Sequence, residues 1–180
     1  MRNSVKKIAL ATALSVVMIV PVSAETGVLT QNATPADYLS VADALHRFAW
    51  GMDMDNAQLL GSAFAEDGTA DFSKAATTLG ITFPAITGRG NIEQGLGGFA
   101  SGLVTSHVVA NARVSIDGDT ALLYAIVEAQ HIPAADRTRN LLLSNAYTVS
   151  LVRSGDIWLI KNMAVENLWS QGDIKVATGQ

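Results

Sequence analysis

Two long stretches of alternating apolar and polar residues meet at a short polar turn in the second half of the chain. Residues 104–116 and 120–131 both alternate, and the sequence Asp-Gly-Asp at 117–119 separates them. Asp-Gly between alternating apolar runs is a strong signal of a β-hairpin. The pattern therefore predicts two antiparallel strands whose open ends bring His107 and His131 together.

The register of this hairpin decides whether the two imidazoles share a face of the sheet. A three-residue loop at 117–119 pairs position 105 with 131 and position 107 with 129, which makes the histidines diagonal neighbours on one face. A two-residue loop pairs position 107 with 128 and sends the two side chains to opposite faces. We expect the first register, and the site hypothesis depends on it.

Helical spacing of apolar residues dominates the chain before the hairpin. Thr34 followed by Pro35 is typical of a helix start, and apolar positions then recur at helical spacing from Tyr38 to Met52. Asp53 ends this helix, where an acid lies at the boundary between core and solvent. His46 lies on the shoulder of the apolar face and is interpreted as a helix-surface residue.

The segment between this helix and the hairpin is predicted from shorter signals. Asp55 can cap a second helix that continues to about Phe64. A short strand is expected at 69–72, and residues 73–88 are interpreted as a loop that could act as a lid. A third helix is predicted over 91–99, weakened by its glycines.

A second hairpin follows the central one. Residues 140–153 and 157–169 are rich in Leu, Ile, Val, Tyr and Trp, and Ser-Gly-Asp separates them. The last residues, from 170 to 180, are interpreted as a tail. Helices followed by a long antiparallel sheet indicate an α+β fold, with three N-terminal helices packed on a long curved antiparallel sheet to form a cone. A small molecule would bind at the mouth of such a cone.

The first 24 residues have the composition of a secretory signal peptide. A basic start precedes an apolar run at 8–20, and small residues up to Ala24 provide a cleavage site. The run is too short for a stable membrane span, although an uncleaved anchor is the alternative. We expect export to the periplasm or medium, a flexible lead-in at 25–36, one domain at 37–176 and a free end at 177–180.

Charge and cysteine content narrow the possible partners. After residue 24 the chain keeps 156 residues, with nine basic and 16 acidic side chains and a formal net charge of −7. An acidic domain without a basic stripe argues against nucleic acid and against anionic membrane surfaces. The chain has no cysteine, which excludes disulfides, thiol catalysis and cysteine metal sites.

The order and spacing of several short segments resemble the SnoaL-like branch of the NTF2-like superfamily, the cone-shaped fold of scytalone dehydratase, ketosteroid isomerase and polyketide cyclases. The resemblance extends from about Tyr38 to Val176. Its carriers are AWGMDMDN, LLGSAFAEDGTADF, GRGNI, TSHVVANARVSIDGDTA, AQH, NAYTVSLVRSGDIWLI and LWSQGD. The fold hosts lyases, isomerases, hydrolases and non-enzymes, so the resemblance alone implies no single reaction.

Scytalone dehydratase and the related dehydrochlorinase provide the most similar pattern within this family. Their catalytic Asp and His match Asp53 and His107, and the second histidine of the dehydratase matches His131. The dehydratase tyrosines that hold a water on the substrate carbonyl correspond to Met52 and Phe72, which lack hydroxyl groups. Base-initiated chemistry is thus implied more strongly than dehydration of that particular kind of substrate.

The resulting hypothesis is a lyase or isomerase that needs no cofactor. Asp53 would orient His107, which removes a proton from a small, mostly apolar cyclic compound. His131 would act as the acid for the leaving group or bind it, and Asn145 would face the pocket. The resemblance also implies a homodimer or homotrimer.

Other interpretations of the same residues remain open. His107 could be a polar residue satisfied within the sheet, and Asp53 could cap the second helix. Two histidines and one carboxylate could also form a facial metal triad, although no local ligand spacing supports a metal. A non-catalytic pocket domain for ligand binding or assembly is the alternative function.

Overall fold

The computed structural model of the protein describes residues 34–179. Within them the chain forms helices and one six-stranded sheet. The helices are α1 (Pro35–Asp53), α2 (Ala57–Ser62), α3 (Ser73–Thr78), α4 (Arg89–Ala100) and a 3₁₀ helix (Ile174–Thr178). The strands are β1 (Phe64–Asp71), β2 (Ile86–Thr87), β3 (Leu103–Asp117), β4 (Thr120–Pro133), β5 (Leu141–Ser154) and β6 (Ile157–Gly172).

The predicted signal peptide at 1–24 and most of the predicted lead-in at 25–36 lie outside the described residues. Between residues 34 and 179, no helix is both long and apolar enough to cross a membrane. Helix α1 begins as predicted, because Thr34 and Asp37 form a reciprocal capping box around its first turn.

The predicted α+β class with a curved sheet is confirmed, but the sheet is not wholly antiparallel. Its strand order is β2-β1-β6-β5-β4-β3, and β3 to β6 form an antiparallel meander. Strand β1 pairs antiparallel with β2 on one side and parallel with β6 on the other. The sheet is therefore mixed, with β3 as one unpaired edge.

The prediction of three helices is wrong, since four α-helices occur between residues 34 and 179. The extra helix, α3, lies in the segment that was interpreted as a loop at 73–88. At six residues it is too short to show helical periodicity in the sequence. Its small residues Ala75 and Ala76 are buried, and the helix packs against β6.

Three local boundaries also differ from the predictions. The side chain of Asn56, rather than that of Asp55, caps α2 by accepting a hydrogen bond from the main chain of Leu59 at 2.9 Å. Helix α2 ends before Phe64, so β1 is longer than the predicted strand at 69–72. The predicted tail from residue 170 is wrong as far as Thr178, because β6 and the 3₁₀ helix occupy it.

The main core lies between α1 and the concave face of the sheet. Phe48 on α1 and Trp158 on β6 are fully buried there, and each such side chain contributes about 1.5–3 kcal/mol of transfer free energy. A smaller cluster includes Ala129, Leu141 and Val176, so the 3₁₀ helix covers the far end of β4 and β5. The C-terminal segment is thereby part of the packed domain.

The turn of the β3–β4 hairpin differs from the predicted one. It holds two residues instead of three, and Asp117 pairs directly with Thr120. Continued without interruption, that pairing would place His107 opposite Gln130, and its side chain would lie on the face away from His131. The predicted three-residue loop is therefore wrong.

A β-bulge in β3 restores the register that the site requires. The pairing shifts between Ala110 and Arg113, where Asn111 adopts a positive φ of 54°. One extra residue on β3 reverses which side chains face the helices. Beyond the bulge His107 pairs with Ala129, as predicted, and the two histidines share one face of the sheet.

Candidate active site

A cavity of about 90 Å³ lies between the helices and the concave face of the sheet. It receives side chains from every α-helix except α2, from β3 to β6 and from the 3₁₀ helix. Its lining is mainly aliphatic and aromatic, with two histidines, one asparagine and one tyrosine as the polar members. The lining residues are Phe48, Met52, Phe72, Ala75, Ala76, Leu79, Ile81, Phe83, Leu96, Phe99, His107, Ala129, His131, Leu143, Asn145, Tyr147, Val165 and Ala177.

Asp53 and His107 are joined by two hydrogen bonds at the wall of this cavity. The last turn of α1 carries Asp53 to the start of β3. Its Oδ2 accepts a hydrogen bond from the main-chain N–H of His107 at 2.8 Å, and its Oδ1 lies 2.6 Å from His107 Nδ1. The His107 side chain is 3% exposed and that of Asp53 is 17% exposed, so the pair is largely removed from water.

These contacts determine which ring nitrogen of a neutral His107 carries the proton. A carboxylate accepts hydrogen bonds, so the proton of neutral His107 lies on Nδ1, toward Asp53. Nε2 then keeps its lone pair and can accept a proton. The hydroxyl of Thr105 lies 2.9 Å from Asp53 Oδ1 and supplies a third donor to the carboxylate.

Burial of the Asp53 carboxyl raises its pKa, but the hydrogen bonds from the ring and main chain of His107, together with the Thr105 hydroxyl, outweigh burial. The net effect is that the pKa of Asp53 lies below its ordinary value. Asp53 therefore remains a carboxylate at neutral pH. A fixed negative charge beside Nδ1 stabilises the imidazolium that forms when Nε2 takes up a proton.

His131 lies beside His107 with its ring nearly perpendicular. The ring centroids are 5.8 Å apart and the planes make an angle of 85°. His131 is 5% exposed, and burial, followed by the proximity of His107, lowers its pKa to about 4. Its Nδ1 is buried and has no hydrogen-bond partner among residues 34–179. His131 is thus a neutral imidazole at neutral pH.

Phenylalanine rings hold the two histidines from both sides. Phe48 contacts His107 edge to face at 6.1 Å between centroids, and Phe99 contacts His131 in the same way at 5.8 Å. Phe83 then links Phe99 to Phe72. Such edge-to-face pairs fix ring orientation as well as burying area.

The structure places the three predicted substrate-binding residues, Met52, Phe72 and Asn145, in the cavity wall. Neither Met52 nor Phe72 offers a hydroxyl group, so tyrosine-held water has no counterpart at these positions. Tyr147 also lines the cavity, and burial raises the pKa of its hydroxyl. Five of the six predicted site residues therefore line this cavity. The sixth, Asp53, is hydrogen-bonded to His107, which lines it.

The sequence interpretation missed several contributors to the site. Thr105 shares the strand face of His107, so strand parity could have identified it. Asn167 on β6 donates a hydrogen bond to Asn145, a pairing that depends on the register between β5 and β6. Phe83 and Phe99 come from segments whose glycine and proline content gave no sign of a pocket wall.

Two of the alternative interpretations can be compared with the geometry. Asp53 does not cap α2, since Asn56 does so and the Asp53 oxygens bond to β3. In the described part of the chain, no group of three or more His, Asp or Glu side chains is placed to hold a metal ion. The carboxylate and the His107 ring point at each other rather than at a shared point.

Comparison with known families agrees with this architecture. The SnoaL-like domain matches residues 33–164. The chain belongs to the SnoaL-like family. The SnoaL-like membership that the sequence segments predicted is thereby confirmed. No curated protein matches the chain in sequence.

Solved structures similar to this SnoaL-like protein have names that cover different reactions. One is a candidate aromatic ring hydroxylase from Novosphingobium aromaticivorans, with 20% identity over 81% of this chain and 99% of that chain and a TM-score of 0.70. Another is a candidate scytalone dehydratase from the same species, with 20% identity, 75% and 86% coverage and a TM-score of 0.64. A hexachlorocyclohexane dehydrochlorinase, LinA type 2, has 13% identity, 77% and 89% coverage and a TM-score of 0.64. At such identities the likeness shows the fold alone.

Proposed function

We propose that this SnoaL-like protein is a lyase or isomerase that works without a cofactor on a small, mostly apolar cyclic compound. The observation that carries the proposal is the contact between Asp53 and His107 at the wall of the apolar cavity. An oriented imidazole beside a carboxylate is the arrangement that a general base requires. Solved relatives named as a dehydratase and a dehydrochlorinase support elimination as the reaction class.

In the proposed step, Nε2 of His107 removes a proton from a carbon next to an electron-withdrawing group. The electron pair of the broken C–H bond forms a C=C bond, and a leaving group departs with the electrons of its own bond. If the leaving group is hydroxide, the proton held on His107 converts it to water. In the isomerase variant the same proton returns to another carbon.

His131 has a narrower role in this scheme than the sequence suggested. Because its pKa is lowered to about 4, it carries no proton in excess at neutral pH. A neutral imidazole can still donate one hydrogen bond through its N–H group. We therefore assign His131 to binding the leaving group rather than to protonating it.

The lining of the cavity supports an uncharged substrate. Among residues 34–179, none that lines the cavity is Lys, Arg, Asp or Glu, so a charged ligand would enter without a compensating partner from them. The volume of about 90 Å³ favours a compact ring over a long chain. Hydroxylated and halogenated cyclic compounds are the class to screen.

The decisive experiment compares Asp53→Asn and His107→Gln with the native protein in that screen. We expect each variant to lower kcat/KM by about 100-fold or more, the usual contribution of a general base. Asp43→Asn is the matched control, because Asp43 is an exposed acid on the same helix, paired with Arg47. Elimination and deuterium exchange are measured, with circular dichroism to verify folding. Full activity in both variants would show that the pair is not the base.

Export and assembly form part of the same proposal. The basic, apolar and small-residue pattern of the first 24 residues supports cleavage near Ala24 and a periplasmic or secreted protein. Mass spectrometry of the exported protein should give a chain that begins at Glu25. We also propose a homodimer or homotrimer, with no nucleic acid and no membrane as partner after cleavage.

A non-catalytic ligand-binding module is the second candidate. It is favoured by one observation, the replacement of the carbonyl-polarising tyrosines by Met52 and Phe72 in the cavity wall. Such a module would bind cyclic compounds from the screen without turnover. The lack of turnover by the native protein separates such a module from the enzyme.

A further inference from the structure

Two buried asparagines face each other where β5 and β6 run beside the cavity. Asn145 on β5 pairs with Asn167 on β6, next to a shift in the strand register. They are 4% and 7% exposed, and only Asn145 lines the cavity. We propose that Asn167 is a positioning residue that holds the Asn145 amide with its NH₂ group directed into the cavity. The inference rests on this cavity being the ligand site of the proposed function.

The surroundings of Asn167 determine which way its own amide points. One amide atom lies 3.0 Å from the main-chain oxygen of Trp169 and 3.4 Å from that of Ser144. A main-chain carbonyl oxygen can only accept hydrogen bonds. The atom of Asn167 that faces both carbonyls must therefore be the nitrogen, Nδ2, and this assignment follows from chemistry alone.

The orientation of Asn167 in turn determines that of Asn145. Nδ2 of Asn167 also lies 2.9 Å from the Asn145 amide and donates to its Oδ1. Two amide nitrogens cannot share this hydrogen bond, so the Asn145 oxygen must face Asn167 and its NH₂ group must face the other way. Within residues 34–179 the Asn145 nitrogen has no hydrogen-bond partner, and it is not sealed inside the protein.

The NH₂ group of Asn145 is a hydrogen-bond donor in an otherwise apolar cavity, and it determines which kind of ligand atom binds beside it. An unmade hydrogen bond at a buried amide is costly, so the group favours a ligand that brings an acceptor. A carbonyl oxygen fits the proposed chemistry, because a hydrogen bond to it stabilises the negative charge that develops when a neighbouring C–H bond is broken. The geometry thus favours an uncharged ring that carries an acceptor oxygen, of which a cyclic ketone is the simplest member.

A matched pair of probes tests this assignment by binding alone. Cyclohexanone and methylenecyclohexane share a ring and an exocyclic double bond, but only the ketone has an acceptor. We expect the native protein to prefer the ketone by about fivefold, the effect of one neutral hydrogen bond. Asn167→Leu and Asn145→Leu should each reduce this preference to about onefold. Asn162→Leu, at an exposed asparagine on the same strand, should keep it.

Asn145→Asp keeps the test informative if Asn167→Leu does not fold. The aspartate can still accept from Asn167, but it presents only oxygen to the cavity, so the preference for the ketone should also disappear. In addition, the side-chain NH₂ resonances of Asn145 in a ¹⁵N spectrum should shift with the ketone and not with the hydrocarbon.

Three results would overturn the proposal. The first is that the native protein binds the two probes equally, and the second is that it binds neither. The third is that Asn167→Leu retains the preference for the ketone. Equal weakening of both probes by Asn167→Leu would show a structural role and no positioning. The ratio is measured without turnover, so its failure is distinct from failure of the Asp53 and His107 base chemistry.

Discussion

At the scale of single residues, Asp53 serves two functions with the same two oxygens. It orients the His107 ring through Oδ1 and binds the His107 main chain through Oδ2. The sequence and the family resemblance together predicted that Asp53, His107 and His131 would meet. Thr105 was not predicted, although strand parity places it on the same face as His107. Asn167 was not predicted because its contact with Asn145 depends on the register between β5 and β6, which a linear pattern does not carry.

The burial of His131 predicts how the free energy of unfolding depends on pH. An unfolded histidine titrates near pH 6.5, whereas burial and the proximity of His107 lower the pKa of His131 to about 4 in the folded protein. Between these values the unfolded chain binds more protons, so the free energy of unfolding falls as the pH falls. The expected loss from this residue alone is roughly 3 kcal/mol.

Urea unfolding at about pH 7 and about pH 4.5 measures this loss. The free energy of unfolding differs between the two pH values, and His131→Gln should remove most of the part of this difference that His131 causes. His46→Gln is the control, since His46 is exposed on α1. An unchanged pH dependence in His131→Gln would contradict a buried, neutral imidazole.

At the scale of elements, the strongest periodic segments were predicted well and the short ones were not. Helix α1 and the hairpins formed by β3 to β6 follow from long apolar patterns. Helix α3 was missed because six residues contain less than two helical turns. The bulge at Asn111 was also missed, although it corrects a loop that was predicted one residue too long. The loop error and the missed bulge shift the strand pairing by one residue in opposite directions. The predicted register at His107 was therefore correct although both of these features were wrong.

Asn111 therefore makes a prediction at this scale. Its φ of 54° lies in the left-handed region, which asparagine and glycine tolerate and β-branched residues do not. Asn111→Val should lower the free energy of unfolding by about 1–2 kcal/mol, whereas Asn111→Gly should be nearly neutral. Denaturant unfolding provides both values.

Ser106→Val is the matched control for this substitution. Ser106 is exposed on the same strand and has no positive φ, so valine should be tolerated there. If Asn111→Val were as stable as Ser106→Val, the bulge would not depend on the asparagine. Loss of activity in Asn111→Val without loss of stability would instead indicate that the register itself has slipped.

At the scale of the whole molecule, the C-terminal end of α1 keeps large apolar side chains at the surface. Trp50 and Met54 are each 58% exposed there. An outer groove of about 400 Å³ between α1 and β3 reaches Asp53 from this side. The sequence predicted an oligomer but could not locate its surface, because exposure depends on the fold.

We expect this surface to form the contact in the proposed homodimer or homotrimer. Trp50→Glu combined with Met54→Glu places charge in an apolar contact and should yield monomers, as measured by sedimentation velocity. Ile157→Glu is the control, since Ile157 is 47% exposed at the distant β5–β6 turn. A native protein that sediments as a monomer, or a double variant that keeps its assembly, would contradict this expectation.

The hydrogen bond from the His107 main chain to Asp53 has an evolutionary consequence. It fastens the last turn of α1 to an edge strand, so selection for foldability alone can preserve the aspartate after a lineage has lost its reaction. An aspartate at the matching position of a distant relative is then weak evidence that the relative is an enzyme. The main-chain bond survives replacement of the imidazole by another side chain, so the histidine is the more informative position to inspect.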